Sequence, residues 1–191
     1  MKTIVVLLGA PGCGKGTQAT MLAEAHEFTH ISTGEILREI KQENTDLGNK
    51  VRKIIDSGNL VPDDMMMEIF QKVVSGFPET KGFIFDGFPR TMPQAEMFDR
   101  FLYKNLPTSS PVFIELQVEE KERIERLARR AIVEGRFDDS NPEIIQNRIK
   151  KFTAETLPVI EQYRGYPSYY MFNGTGKKAS EVYEEVKKLF N

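Results

Sequence analysis

The stretch "GAPGCGKGT", Gly9 to Thr17, constrains this chain more than any other, because it makes physical sense only between a strand and a helix. Gly9, Gly12, Gly14 and Gly16 let a backbone turn sharply and aim its N–H groups at oxygen atoms, and Lys15 adds a point charge. The aliphatic run in front, Thr3 to Leu8, reads as a buried parallel strand, and Lys15 to Ala25 behind it as a helix. A short signal peptide is the competing reading of "MKTIVVLLGA". The β-branched Ile4, Val5 and Val6 and the Gly-rich continuation favour the strand. Gly9-x4-Gly14-Lys15 in this context predicts a loop that cradles nucleotide phosphates. Ser or Thr usually follows the lysine directly, but here Gly16 intervenes and Thr17 comes one residue late. That leaves open whether the loop coordinates Mg²⁺ itself, and whether the phosphate passes to water, to a small molecule or nowhere.

The rest of the chain alternates short apolar runs with helical patterns, which predicts βαβ units and an α/β fold with a five-stranded parallel sheet flanked by helices. "FTHIS", "GFIFDG" (Gly82 to Gly87), "PVFIEL" (Pro111 to Leu116) and "YYMFN" (Tyr169 to Asn173) supply the other strands. Ser180 to Phe190 reads as a last helix with Ser180 as N-cap. A chain of 191 residues is a single domain on length and removes roughly 70% of its unfolded surface from water. Two stretches break the alternation. Residues 32–62 hold two helices, the second ending at Gly58, and Arg130 to Pro142 is a polar loop between helices. Both read as flaps standing off the core.

A net charge of −2 predicts no general affinity for nucleic acid or anionic membrane, and no stretch is long enough to span a membrane. Cys13, the single cysteine, excludes an internal disulfide and a cysteine zinc cluster, so no structural zinc is expected. His26 and His30 stand isolated and read as structural or surface residues; Met65, Met66 and Met67 read as helix packing.

Chemistry concentrates in three places. In "FDGFPRTMPQ" Asp86 ends an apolar strand, at the sheet edge where open α/β folds bind ligands, and can hold Mg²⁺ directly or through water. Gly87 allows close approach, Pro89 stiffens the turn, Arg90 offers a planar fork to phosphate, and Gln94 suits an adenine edge. Taken alone, the same residues also read as a strand end, an ordinary turn and a solvated arginine. "ISTGEILREI" carries a capping box, Ser32-x-x-Glu35, with Arg38 placed to reach an anion. "GNLVP" is a helix stop followed by an apolar strip that suits either packing or a base pocket. In the third place Glu122/Arg126 and Glu125/Arg129 are spaced for surface pairs, whereas Arg130, Arg136 and Arg148 flank the polar loop. Those three arginines can close over transferring phosphates, with Asp138 and Asp139 orienting them.

Six motifs in order, "GAPGCGKGT", "STGEILR", "GNLVPD", "DGFPRTMPQ", "EGRFDD" with "NR", and "NGTG", run from residue 9 to residue 176. On these the sequence resembles the adenylate kinases, in the short-lid form of the nucleoside monophosphate kinase family. The resemblance implies a P-loop NTPase core (residues 1–31, 62–128 and 141–191), a monophosphate-binding segment at 32–61 and a short lid at 129–140. By motif, Gly12, Cys13, Gly14, Lys15, Gly16 and Thr17 would hold the ATP phosphates, Arg130 would reach ATP, and Gly176 would meet its adenine through the backbone. Thr33, Arg38, Asn59, Leu60, Val61, Gly87, Phe88, Pro89, Arg90 and Gln94 would bind AMP. Arg136 and Arg148 would serve the AMP side and the transferring group, making Lys15, Arg90, Arg130, Arg136 and Arg148 the catalytic set.

Mg²⁺ would arrive as MgATP, with Asp86 acting through water. The implied reaction is ATP plus AMP giving two ADP, in a cytoplasmic monomer whose partners are those nucleotides. Glu35 departs from the family's "STGD", Phe152 from a common Tyr, and Asn141-Pro142 lengthens the loop by about one residue. A UMP/CMP kinase is the nearest alternative, against which Thr33, Thr91 and Gln94 favour AMP. A non-catalytic nucleotide sensor is the other, and it would need no second anion site.

Overall fold

The computed structural model describes residues 2–107, 109–136 and 139–190. Strand β1 (Thr3–Leu8) lies at the centre of one parallel sheet with β2 (Thr29–Ser32), β3 (Gly82–Asp86), β4 (Pro111–Gln117) and β5 (Tyr169–Asn173), in the order β2-β3-β1-β4-β5. Period-two alternation divides β1 between two cores. Ile4, Val6 and Leu8 join the face built on Phe70, Phe85 and Phe98, while Val5 and Leu7 join the opposite face with Leu22 and Val186. All five of these β1 side chains are at most 3% exposed. Each such burial contributes about 1.5–3 kcal/mol, which explains why an unbroken aliphatic run occupies the sheet centre.

Helices cover both faces. α1 (Lys15–His26) and α9 (Ala179–Val186) pack together on one side. α4 (Asp63–Ser75), α5 (Met92–Asn105) and α8 (Leu157–Tyr163) bring Phe70, Phe98 and Tyr163 to the other. Between β2 and β3 stand α2 (Thr33–Ile40) and α3 (Asp46–Asp56), the two helices expected there. α6 (Glu120–Glu134) and α7 (Pro142–Lys151) flank the second insertion.

Three expectations about helix limits need correction. The polar loop does not begin at Arg130: α6 runs on to Glu134 and stops where Gly135 takes a left-handed φ of 63°. No breaker occurs before that glycine, so charge alone could not end the helix. Ser180 is not the last N-cap; α9 starts at Ala179, and Glu181 reaches back to accept from the Lys178 N–H at 2.7 Å. That helix continues past Val186 only as a 3₁₀ turn, Lys187–Leu189. β5 is an edge strand with Tyr170 and Met171 exposed, because nothing pairs with its outer side among the described residues.

The register positions the site. Asp86 at the end of β3 aligns with Ser32 on β2 and Leu7 on β1, so three strand ends reach the same level. Everything that follows them in sequence converges on that edge.

Candidate active site

The phosphate loop leaves β1 at Gly9 and enters α1 through Gly14, whose φ is 98°. Among the described residues no side chain caps α1, so its N-terminal N–H groups can point at a ligand's oxygens. Gly12 sits at φ 83°, and a Cβ there would come within 2.6 Å of the Arg123 carbonyl on α6. The loop is thus pressed against α6 by glycine alone. Lys15 Nζ donates to the carbonyls of Gly9 at 2.7 Å and Ala10 at 3.2 Å, which holds the ammonium over its own loop. Cys13 is 4% exposed and packs into the core beneath, with its sulfur 3.6 Å from Lys15 Nζ.

Asp86 stands beside this loop. A Cβ on Gly16 would lie 3.5 Å from its Oδ2, and His30 Nε2 is 3.8 Å from the same oxygen. Burial pushes the Asp86 carboxyl up, but the opposing pull of His30, Lys15 and Arg90 is stronger, and the net value lies below the ordinary carboxylate range. At 3.8 Å the histidine acts on Asp86 as a neighbouring charge or dipole rather than through a full hydrogen bond, and its buried Nε2 has no hydrogen-bond partner among the described residues. Sequence reasoning missed His30, which looked isolated. Only the β2–β3 pairing brings it to the carboxylate.

A second wall of the site follows β3. The Phe88–Pro89 peptide is cis, Phe88 is core at 1% exposure, and Gly87 has a φ of 81°. Arg90 Nε donates to the Gly87 carbonyl at 2.6 Å, and Thr33 Oγ1 donates to that oxygen at 2.8 Å. A Cβ on Gly87 would lie 2.6 Å from Arg90 Nη2 and 2.8 Å from Thr33 Oγ1, so any larger residue would part them. Burial lowers the Arg90 guanidinium's affinity for its proton, as do the nearby charges of Arg148 and Arg38, with Asp86 opposing them. Such crowding of cations is relieved by an anionic ligand. Gln94 is 2% exposed; its Oε1 accepts from Arg90 N–H at 2.9 Å and its Nε2 donates to Asp63 at 2.8 Å.

Opposite stand the arginines of α6, α7 and the loop between them. Asp139, its side chain fully enclosed, accepts from Arg130 Nε at 2.6 Å and from Arg148 Nη1 at 2.5 Å, thereby orienting two guanidiniums at once. Arg136 pairs with Glu134 at 2.6 Å. Asp138, expected to share this orienting role, lies outside the described residues. Of the two i, i+4 pairs read on α6, Glu122–Arg126 forms at 2.5 Å, and no Glu125–Arg129 pair forms among the described residues.

These pieces line one cavity of about 630 Å³. Gly12, Gly14, Lys15, Gly16 and Thr17 form its floor. Thr33, Arg38, Asn59, Leu60 and Val61 form one wall, with Asp86, Gly87, Pro89, Arg90 and Gln94 beside them. Arg130, Arg136 and Arg148 close the far side. Cys13, Phe88 and Gly176 do not line it; the Gly176 N–H instead donates to Glu122 Oε2 at 2.9 Å, leaving its carbonyl free of that contact. Phe152 and Thr156 were missed as lining residues. They bound a π-helical turn, Phe152–Thr156, ahead of Pro158, and Thr156 Oγ1 donates to the Arg90 carbonyl at 2.9 Å. The "TLP" step was the available signal, since proline cannot supply the N–H that continues a regular helix.

A cavity with so many cations in a chain of net charge −2 is built for polyanions. Its glycine loop with Lys15 and its buried Arg90 both suit phosphate groups.

Known proteins agree. The family model for adenylate kinase matches residues 7–167. The adenylate kinase of Bacteroides fragilis is 40% identical over 184 residues, covering 96% of each chain. That of Porphyromonas gingivalis is 41% identical over 193 residues, covering 98% of each. That of Flavobacterium psychrophilum is 37% identical over 187 residues, covering 98% of this chain and 97% of its own. The chain belongs to the adenylate kinase family, phosphotransferases whose acceptor is itself a nucleotide phosphate.

Proposed function

We propose that the cavity divides the adenylate kinase reaction, ATP plus AMP giving two ADP, between a donor half at the phosphate loop and an acceptor half at Thr33, Arg38, Gly87, Arg90 and Gln94. The observation that carries this reading is the single cavity in which Lys15 and the Arg90 cluster face Arg130, Arg136 and Arg148. The N–H groups of Gly12 to Thr17 and Lys15 would bind the ATP phosphates, with Arg130 beside them and the Gly176 carbonyl at the adenine. Asn59, Leu60 and Val61 would cover AMP. In this division residues 32–61 form the monophosphate-binding segment and 129–140 the lid over a core of the remaining residues.

The acceptor oxygen of AMP is already largely deprotonated at neutral pH, so no general base is required. What the chain supplies is in-line positioning and charge neutralisation on the transferring group, through Lys15, Arg90, Arg136 and Arg148. Asp139 would hold Arg130 and Arg148 at fixed angles for that task. Closure of the lid would exclude water and so prevent wasteful hydrolysis.

The residues fit Mg²⁺ in a particular way. Asp86 is kept anionic beside the loop, yet no group of three metal-ligating side chains occurs among the described residues. Such a set suits an ion held mainly by nucleotide oxygens and water, with Asp86 orienting the water. Bound there, Mg²⁺ neutralises charge on the phosphates being exchanged. The working unit is taken to be a monomer, in a reducing cytoplasm where Cys13 stays a thiol.

The test is steady-state turnover with MgATP against AMP, UMP, CMP and GMP. Fast turnover confined to AMP is expected. A preference for UMP or CMP would overturn the roles of Thr33 and Gln94, and no transfer to any acceptor would overturn those of the arginines.

A further inference from the structure

Asp63 does not line the cavity, yet it controls a residue that does. It opens α4 directly after Val61-Pro62, and its Oδ1 accepts two hydrogen bonds at 2.8 Å, from Thr91 Oγ1 and from Gln94 Nε2. Thr91 in turn caps α5 by accepting from Gln94 N–H at 3.2 Å. The other end of the Gln94 amide accepts from Arg90 N–H at 2.9 Å.

A primary amide has two N–H donors and an oxygen with two lone pairs. Among the described residues the protein uses one donor and one acceptor here, which leaves one of each for a base. The two ends cannot exchange. Turning the amide over would set Nε2 against the Arg90 N–H, donor against donor, and Oε1 against the Asp63 carboxylate, acceptor against acceptor. Amide orientation is ordinarily ambiguous, but here the partners decide it.

We propose that Asp63 is a positioning residue for acceptor specificity: by fixing which end of the Gln94 amide donates, it selects a base edge with an amino group beside an unprotonated ring nitrogen and rejects the reverse edge, a carbonyl beside a ring N–H. Adenine has the first pattern; hypoxanthine has the second in almost the same shape. A site whose polar groups are pinned in one sense rejects the reversed partner because buried donors and acceptors are then left unpaired. The inference rests on the reading of Gln94 as the contact to the acceptor base.

The test uses the full chain with MgATP as donor and either AMP or IMP as acceptor, comparing wild type, Asp63→Asn and Gln94→Ala. Asp63→Asn keeps the shape but lets the residue either donate or accept. The preference for AMP over IMP in kcat/KM should fall about tenfold in Asp63→Asn, the worth of a hydrogen bond to a charged group, with the change in acceptor KM rather than kcat. Because both acceptors are measured on one preparation, their ratio does not depend on the folded fraction. An unchanged ratio in Asp63→Asn, alongside a ratio collapsed by Gln94→Ala, would overturn the role of Asp63 and leave the base contact standing. A ratio untouched by Gln94→Ala would overturn both.

Discussion

Arg136 shows how two accounts of one side chain separate by magnitude. Its visible partner is Glu134, whose side chain is 47% exposed, and a pair of that kind is worth about 1 kcal/mol or less. An arginine that neutralises a transferring phosphoryl group is worth ~10³–10⁵ in rate. Arg136→Ala should therefore lower kcat by about 10³ or more while the melting temperature hardly moves, as single-turnover assays and thermal denaturation together would show. Asp139 makes the complementary case. Burial pushes its carboxyl up, but Arg130 and Arg148 outweigh this, and the net value lies below the ordinary carboxylate range. A depressed folded-state value means that its stabilisation is whole above the unfolded-state value of about 3.9 and is lost as pH falls through the lower folded-state value. Asp139→Asn should cost about 1–3 kcal/mol at neutral pH, because two guanidiniums lose a shared acceptor. In urea titrations from pH 6 down to pH 2, the gap between wild type and variant should close. The sequence placed an aspartate pair inside an arginine-rich loop, but that one carboxylate bridges arginines on two helices depends on α6 and α7 meeting in space.

At the scale of elements, the phosphate loop was legible because its chemistry is local. Four glycines and a lysine between a strand and a helix leave few other conformations. What was not legible is how tightly α6 seals it. Gly12→Ala would have to hold an alanine at φ 83° and also fit its Cβ 2.6 Å from the Arg123 carbonyl. Left-handed strain alone costs about 1–2 kcal/mol, and backbone on backbone cannot yield as a flexible side chain would. The expected outcome is a chain that folds less stably and binds ATP at least tenfold more weakly, measured by calorimetry with a non-hydrolysable analogue; unchanged affinity would mean the loop can move away from α6. The misplaced start of the polar loop has the same origin. A run of charge marks solvent, whereas a helix ends at a breaker, and here the breaker is Gly135.

For the whole molecule, the insertion after β2 is already in touch with α7. Asn147 Nδ2 donates to the Ser57 carbonyl at 2.6 Å, and a Cβ on Gly58 would lie 3.1 Å from the Ile144 carbonyl. A dinucleotide linking two adenosines through phosphates spans both halves of the cavity and should stabilise the folded chain by mass action. At a hundred times its dissociation constant this is about 2.7 kcal/mol, or about 5–10 °C in melting temperature for a chain of this size. An equal shift from ATP at the same concentration would show that the second adenosine gains nothing and would remove the proposed acceptor half.

The sequence by itself determined the sheet, the phosphate loop and the family, because each is written in contiguous residues: an aliphatic run for a central strand, glycines for a turn, motifs in order. Tertiary structure alone decided the pairings that tune them. His30 meets Asp86 because β2 lies beside β3, Thr156 meets Arg90 through a π turn, and Asp63 meets Gln94 because two helices start side by side. No periodicity encodes such contacts. They join residues 31 to 66 positions apart, and a hydrogen bond depends on distance in space, to which sequence separation is blind.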